Sequence, residues 1–235
     1  MTLRICIGYD SRESLAYPVL AHSILRRASR PVSIQPIMLD QFSSFWTREH
    51  NTLQSTEFTF ARFLTPWLND FHGVSVFMDC DMLCLTDICE LEAIALADPY
   101  QDVFVVKHAY TPRTKTKFLG QEQTAYPCKN WSSLMVFNGH RMNVQHLTPA
   151  YVNAASPMSL HQFDWADSIG ELDGAWNHLV GEEPRRLDAK LVHYTLGGPY
   201  FDGYEYCEYA PEWFAEFENM CHVQDRTYLL HRARS

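Results

Sequence analysis

The sequence has no apolar run approaching the roughly 20 residues that a helix needs to cross a bilayer. It also opens without the basic, apolar and small-residue pattern of a secretory leader. A cytoplasmic location is the resulting expectation. Basic residues are in the minority, with 19 Lys and Arg against 28 Asp and Glu and a formal net charge of -9. That balance disfavours nucleic acid as a main partner, because phosphate binding rests on clustered Lys and Arg that release counterions. A diphosphate held through a bridging cation stays compatible with it. The seven cysteines (Cys6, Cys80, Cys84, Cys89, Cys128, Cys207 and Cys221) include no Cys-x-x-Cys pair. They read as reduced thiols, several of them small core residues, and a zinc site from Cys80, Cys84 and Cys89 would fit no common finger spacing. Internal repeats, low-complexity tracts and interdomain linkers are also lacking.

What is present is an apolar share of 46% with only 20% charge. This is enough to bury a large core and is unlike the composition of disordered chains. At 235 residues the chain fits one α/β domain with insertions, here taken as 1–235. "LRICIGYD" reads as a strand ending in Gly8. The helix that follows has Ser11 as a cap and Leu15, Val19, Ala21, His22 and Leu25 at helical spacing. "PVSIQPIML" is a second strand, which Pro36 restricts to an irregular or edge placement. "STEFTFARFLTPWL" reads as a helix with Thr56 as its cap and Pro66 limiting it. Next come a strand at "VSVFMDCD", a helix at "ICELEAIALAD", strands at "DVFVVKH" and "SSLMVFN", a helix at "TPAYVNAA" and a late strand at "KLVHYT". Such alternation predicts an α/β fold with a mainly parallel central sheet flanked by helices.

Ligands of such sheets collect beyond the carboxyl ends of the strands, and "VFMDCDMLCLTDI" puts Asp79 and Asp81 at such an end. Two carboxylates one residue apart can both face a divalent cation if the chain turns there, and oxygen ligands suit manganese or magnesium. Three functions accommodate the pair. A haloacid-dehalogenase-type phosphohydrolase would use Asp79 as nucleophile and Asp81 as acid/base. Such enzymes carry the motif on the first strand with Thr or Val two residues on, where this chain has Leu83, and no later Gly-Asp-x-x-x-Asp follows. A nucleotide-sugar-dependent glycosyltransferase would use the acids to hold a cation against the diphosphate, where negative charge develops. A non-catalytic nucleotide-sugar-binding protein would share that pocket.

The order and spacing of "IGYD", "FARFLTPWL", "FMDCDMLCLTDI", "SSLMVFN" and "LVHYTLGGPYF" along most of the chain resemble the GT-A fold, a Rossmann-like nucleotide-diphospho-sugar transferase fold. They are most similar to the family 8 glycosyltransferases, which include glycogenin and bacterial lipo-oligosaccharide galactosyltransferases. The resemblance implies transfer of a sugar from a nucleotide donor, UDP-linked by analogy, to a glycan or small hydroxyl acceptor with retention. It implies Mn2+ (or Mg2+) held by Asp79, Asp81 and His193, with Asp79 also at the ribose. Tyr9 and Asp10 would lie against the base, and Arg62 at the diphosphate or donor sugar. Gln162 would stand near the anomeric carbon. Read singly, Tyr9 can equally finish a strand, Arg62 serve in an ion pair and His193 sit satisfied in the core.

The chain departs from the family at three places. "NWSSLMVFN" replaces the usual Asn-Ser-Gly or Asn-Ala-Gly lead, with Trp131, or Asn130 one residue earlier, where the Asn would fall. "HYTLGGPY" lacks the phosphate-binding Lys, and the backbone N–H groups of Gly197 and Gly198 are the substitutes on offer. His161 stands where Asp would precede Gln162, and is open between a site role and a capping or surface role. An inverting reaction would instead need a carboxylate base, for which Asp164 and Asp167 are candidates. "GAWNHLVG" matches a Trp-Asn element on the acceptor side, although Trp176 also suits core packing. The aromatic segment "YFDGYEYCEYAPEWF" could stack on a sugar or pack inside. The tail "DRTYLLHRARS" mixes apolar and basic residues in a way compatible with weak association at an anionic membrane surface.

Overall fold

The computed structural model of the chain describes residues 2–49, 56–109, 116, 118–120 and 127–221. The tail read as membrane-associating lies outside these residues. Strands β1 (Leu3–Gly8), β2 (Val32–Ile37), β3 (Val74–Met78), β4 (Met82–Cys84) and β5 (Val103–Val105) alternate with helices α1 (Ala16–Arg27), α2 (Thr65–Leu68) and α3 (Glu90–Ala97). After them come β6 (Leu134–Asn138), α4 (Met142–Gln145), α5 (Pro149–Ala154), α6 (Pro157–His161), β7 (Ile169–Glu171), β8 (His178–Leu179), β9 (Leu191–His193) and α7 (Ala210–Cys221). A six-stranded sheet has the order β2-β1-β3-β6-β5-β7 and a three-stranded one the order β4-β9-β8. β1 pairs in parallel with β2 and β3, and β5 with β7, while β6 runs antiparallel to both of its neighbours. The expected mostly parallel α/β sheet is present, with one reversed strand.

β3 and β6 are buried along their whole length, as expected of central strands covered on both faces. β2 is the edge, where Pro36 stands opposite Ile7 without removing an interior ladder bond. In α1 the buried positions are Ala16, Val19, Leu20, Ser23 and Ile24, whereas Leu15 and Leu25 are 40% and 59% exposed. The buried stripe is thus offset by one residue from the leucines read in the sequence. The reason is local: Ser23 Oγ donates to Leu20 O and accepts from Cys84 N–H, which docks that face of α1 on β4. Ser11 does not cap the helix. Asp10 caps a short 3-10 turn, Ser11–Glu13, before α1 begins. The aromatic segment after Thr56 is likewise no continuous helix. It forms a turn, a 3-10 stretch over Ala61–Leu64 and then α2, with Pro66 in its first turn where a missing N–H costs nothing. Thr56 closes the initial turn through Thr59.

A second apolar cluster of Val19, Leu83, Val180, Val192, Tyr194, Tyr209 and Trp213 holds α7 against the small sheet. Glu216 of α7 is buried and accepts from Arg27 and pairs with His22, fixing α7 on α1. Within the late aromatic segment Tyr209 and Trp213 therefore pack inside, Tyr200, Phe201 and Tyr204 are half-buried, and Tyr206 and Phe214 are exposed. Trp176 is also core, under the Lys190 ammonium at 4.9 Å. Burial raises the Cys84 thiol to about 12 and lifts Cys80 well above its ordinary value, so neither is a ready thiolate and the zinc reading gains no support. No helix among the described residues is long and apolar enough to cross a membrane.

One buried acid carries a pH-dependent part of the stability. Asp102 accepts from Arg141 Nε, Asn143 Nδ2 and the Asp167 and Ser168 amides at 2.9–3.2 Å. Burial opposes its ionisation, but those bonds from Asn143, Arg141, Ser168 and Asp167 outweigh it and lower its pKa. A depressed folded-state pKa contributes stability above the unfolded value, near 3.9, that is lost as pH falls through the folded value. Asp102→Asn is expected to cost about 3 kcal/mol at pH 7, since bonds to a charged acceptor contribute roughly 1.5–3 kcal/mol each and are not additive. Urea melts at pH 7 and at acid pH should show the gap to wild type narrowing in acid.

Candidate metal centre

Both acids lie in the short link between β3 and β4. Asp79 N–H donates to Ser133 O at 2.9 Å, and Tyr194 N–H donates to Asp81 O at 2.8 Å. The link is thereby held between the turn before β6 and the end of β9. Alternate residues of an extended chain face opposite ways. Cys80 turns into the core, 1% exposed, so its two neighbours share the other side. β9 runs antiparallel to β4 with His193 opposite Met82, which delivers the imidazole to the same end.

Asp79, Asp81 and His193 each present one ligand atom, all within 4.8 Å of one another, and His193 Nε2 stands 3.4 Å from Asp81 Oδ1. Neighbouring ligands around an octahedral cation at about 2.1 Å are about 3 Å apart, so the set needs only a small contraction. Among the described residues it is the one cluster of three such ligands. Two carboxylates exposed by only 8% each repel one another, and a divalent cation between them and a neutral imidazole offsets that cost. The donor set, two carboxylate oxygens and one imidazole nitrogen, fits manganese or magnesium better than a soft metal.

Arg62 reaches the centre from the 3-10 turn at Ala61–Leu64. NH1 donates to Ser132 O at 2.8 Å and stands 2.9 Å from Asp79 Oδ1, while NH2 lies 3.4 Å from Thr56 Oγ1. The guanidinium sits between the Phe58 and Phe77 rings, 5.1 and 5.0 Å from their centres. A glycine is needed at position 8 for this arrangement, because a Cβ there would fall 2.4 Å from the Phe58 ring. Arg62 thus combines a charge on Asp79 with a structural anchor on the turn before β6.

Of the other sequence candidates, Asp167 lies away from this centre: its amide donates to Asp102 ahead of β5, level with the amino end of β3. Tyr9 is half-buried beside Tyr17. Asp10 is fully buried, its carboxylate taken by Arg12 N, Nε and NH2 and by Glu57 N, so it fixes the loop after β1. Gly197 has a φ of 140° and its N–H donates to Tyr194 O within the turn. A Cβ at Gly198 would lie 2.2 Å from the Tyr200 ring. Tyr200 in turn donates to Glu13 Oε2 at 2.6 Å, tying the Gly197–Gly198 turn to the loop after β1. Gln162 is the half-buried C-cap of α6, and Asp164 and Asp167 are exposed in the turns beyond it.

His161 is neither a cap nor a surface group. Its ring packs against Phe60 and Phe63, and Nδ1 meets Ser132 Oγ at 2.9 Å. Burial, with Arg62 and Arg48 nearby, pushes its pKa down to about 3, so the ring is neutral. This contact docks the segment carrying Gln162 on the turn that also holds Arg62 and Asp79. Ser132, Ser133, Asn177, Glu13 and Tyr200 were not singled out from the sequence. "NWSS" stands out as a departure from the family pattern, and Asn177 and Tyr200 fall in the quoted segments "GAWNHLVG" and "LVHYTLGGPYF", but nearness in space to the acids is what gives each of these residues its place.

With this geometry in view, comparison with known proteins gives the class first: the chain has the GT-A glycosyltransferase fold. GlyE, a glycosyltransferase of Streptococcus pneumoniae TIGR4, superposes with a TM-score of 0.60 at 12% identity, over 99% of this chain and 63% of its own. The galactosyltransferase LgtC, solved with donor and acceptor sugar analogs, gives 0.55 at 10% identity, over 94% of this chain and 98% of its own. The present chain therefore spans less than two thirds of the GlyE chain but nearly all of LgtC. No protein-family model matches the sequence. It belongs to the family of Protein CDI from Arabidopsis thaliana, to which it is 46% identical over 226 residues, covering 92% of this chain and 86% of that protein. Nothing in the fold or the centre supports the phosphohydrolase reading.

Proposed function

We propose that the chain is a metal-dependent glycosyltransferase that takes a nucleotide-sugar, UDP-linked, and transfers the sugar to a glycan or small hydroxyl acceptor. One observation carries this reading: Asp79, Asp81 and His193 converge at the carboxyl end of β3 in a GT-A fold. That is where an α/β sheet receives its ligands. Manganese or magnesium, when bound there, would neutralise the charge that builds on the departing diphosphate.

The chain's own residues have distinct roles in this scheme. Asp79, Asp81 and His193 supply the ligand set, and Asp79 extends toward the ribose. Arg62 pairs with Asp79 and lends positive charge to the diphosphate side of the pocket. Tyr9 offers a ring face to the base, while Asp10 acts indirectly by holding the loop that shapes the base pocket. Gly197 and Gly198 let the backbone of the turn after β9 come close to the diphosphate without a Cβ in the way. Gln162, held next to the centre through His161 and Ser132, faces the donor sugar. Retention requires no carboxylate base, because the leaving phosphate can accept the proton of the incoming hydroxyl on the same face. In an inverting scheme Asp164 would take that role instead.

The test is a thermal-shift series with UDP, manganese and both together, followed by an assay for UDP-sugar hydrolysis. Ligands at about 100 times their dissociation constant add about 2.7 kcal/mol of stability, which for a chain of this size corresponds to roughly 5–10 °C. UDP and manganese together should raise Tm by that much, and by more than the sum of the two alone. No shift overturns the proposal. A full shift without turnover of any UDP-sugar, with or without acceptor, identifies a non-catalytic binder instead.

A further inference from the structure

The nitrogen of His193 that faces the acids is Nε2, and what faces its other nitrogen is unusually well determined. Nδ1 lies 3.0 Å from Asn177 Oδ1, and both residues are buried, Asn177 completely and His193 to within 2%. The orientation of the Asn177 amide follows from its far side. Its Nδ2 stands 2.8 Å from Ser133 Oγ and 3.3 Å from Asn130 O. A backbone carbonyl only accepts, so that atom of Asn177 is the NH2 group. Ser133 Oγ has already spent its proton on Asn130 O at 2.6 Å, so it accepts from Asn177. Every link then has one donor and one acceptor, and the amide oxygen must accept from His193 Nδ1–H.

From this network we infer that Asn177 is a positioning residue that holds His193 in the Nδ1–H tautomer, leaving the Nε2 lone pair aimed at Asp81 and Asp79. The inference deepens the metal reading proposed above and rests on it for its use. A neutral imidazole ligates through its bare nitrogen, and the partner of its other nitrogen decides which one is bare. The relay also couples the two halves of the centre. The same turn, Trp131–Ser133, accepts the Asp79 amide on Ser133 O and the Arg62 guanidinium on Ser132 O. It leaves Asn130 at a φ of 63°, a left-handed conformation that asparagine tolerates and that turns its carbonyl to meet Ser133 and Asn177. The departure of "NWSS" from the family pattern is therefore the base of a support that reaches both carboxylate and imidazole.

Two readouts test it. In metal-free protein labelled at histidine nitrogens, with His193 identified by its absence from His193→Gln, the wild type should show Nδ1 protonated and Nε2 bare. Asn177→Leu should shift His193 toward the other tautomer and weaken Mn2+ affinity, read by electron paramagnetic resonance, by roughly 10–100-fold. Asn177→Asp, which keeps the acceptor for Nδ1–H but loses the donor to Ser133 Oγ and Asn130 O, should restore the tautomer and only part of the affinity. If Asn177→Leu does not fold, Ser133→Ala serves, with a smaller loss in the same direction as the amide becomes free to turn. An Nε2–H tautomer in the wild type, or affinity and tautomer unmoved in both variants, overturns the inference. The expected tautomer with no Mn2+ uptake by the wild type sustains the relay and overturns the metal reading of the pocket.

Discussion

Asp81→Asn should abolish manganese-dependent stabilisation by UDP while leaving the metal-free protein as stable as the wild type or slightly more so. Asparagine has almost the same shape, keeps the backbone carbonyl that accepts from Tyr194, and can donate to His193 Nε2 at the 3.4 Å contact. The change also removes one of two closely spaced negative charges, and sites built for ligands commonly sacrifice stability in this way. What it takes away is a ligand of the cation itself. The loss of Mn2+ affinity should exceed the roughly 10–100-fold that removal of an outer partner produces. Asp202→Asn, a change at an exposed acid, should leave the metal-dependent shift intact. Metal titration followed by paramagnetic resonance, together with melting curves with and without UDP, distinguishes the two. An Asp81→Asn protein that still binds manganese with near wild-type affinity would remove this residue from the centre, and a large fall in its metal-free Tm would make it structural.

The acids were legible in the sequence because strand and motif are both local: an apolar run, a stop, and two carboxylates separated by one buried residue. His193 was not legible in that sense. It lies more than a hundred positions away, and only the family resemblance brought it to the acids before β9 was seen to pair with β4. The resemblance makes Arg62 a contact for diphosphate or sugar, yet its burial between Phe58 and Phe77 depends on side chains from two separate segments, β3 and the turns after Thr56, and on the missing Cβ at Gly8. Sequence periodicity carries no information on such a pocket. The mis-phased face of α1 has a similar origin. Hydrophobicity alone favours Leu15 and Leu25, but the helix is rotated by what it must dock, including a serine that satisfies the backbone of β4. The aromatic run after Thr56 has helical spacing, but a left-to-right reading could not show that its bonds close as turns around Arg62.

Asn177 shows the same limit more sharply. In sequence it belongs to a Trp-Asn pair with a plausible place on the acceptor side. In space its tryptophan packs in the core and its amide backs the His193 ring. The three departures from the family pattern also differ in kind. At "NWSS" the altered residues rebuild support for the centre, and at His161 a neutral ring replaces an acid and becomes packing. At "LGGPY" Tyr200 donates to Glu13 and ties the turn to the loop after β1. Asp79, Asp81 and His193 converge as the resemblance implies, while the three departures lie in the segments around them.

Arg62→Met should lower Tm by roughly 6–20 °C in the absence of metal, and added manganese should recover more of that loss than it adds to the wild type. Arg62 is 5% exposed and Asp79 8% exposed, with NH1 and Oδ1 at 2.9 Å. Breaking a buried pair by removing one partner costs about 3–5 kcal/mol because the other charge remains, and in chains of this size each kcal/mol moves Tm by about 2–4 °C. Methionine fills much of the space between Phe58 and Phe77, so the effect is chiefly the charge and the bond to Ser132 rather than a cavity. A divalent cation at Asp79 replaces part of the lost positive charge, which is why the metal-induced shift should grow. Arg62→Lys should fall between the two, since an ammonium keeps the charge for Asp79 and Ser132 O but lacks the second nitrogen that reaches Thr56 Oγ1. The paired variant Arg62→Met with Asp79→Asn should regain stability relative to Arg62→Met alone while losing metal binding, and the double-mutant cycle measures the coupling directly. A stable Arg62→Met protein with weakened UDP binding alone would make Arg62 a nucleotide contact and nothing more. Loss of stability that manganese partly restores would instead show that one arginine both holds the turn before β6 and offsets the charge of Asp79 in the metal-free centre.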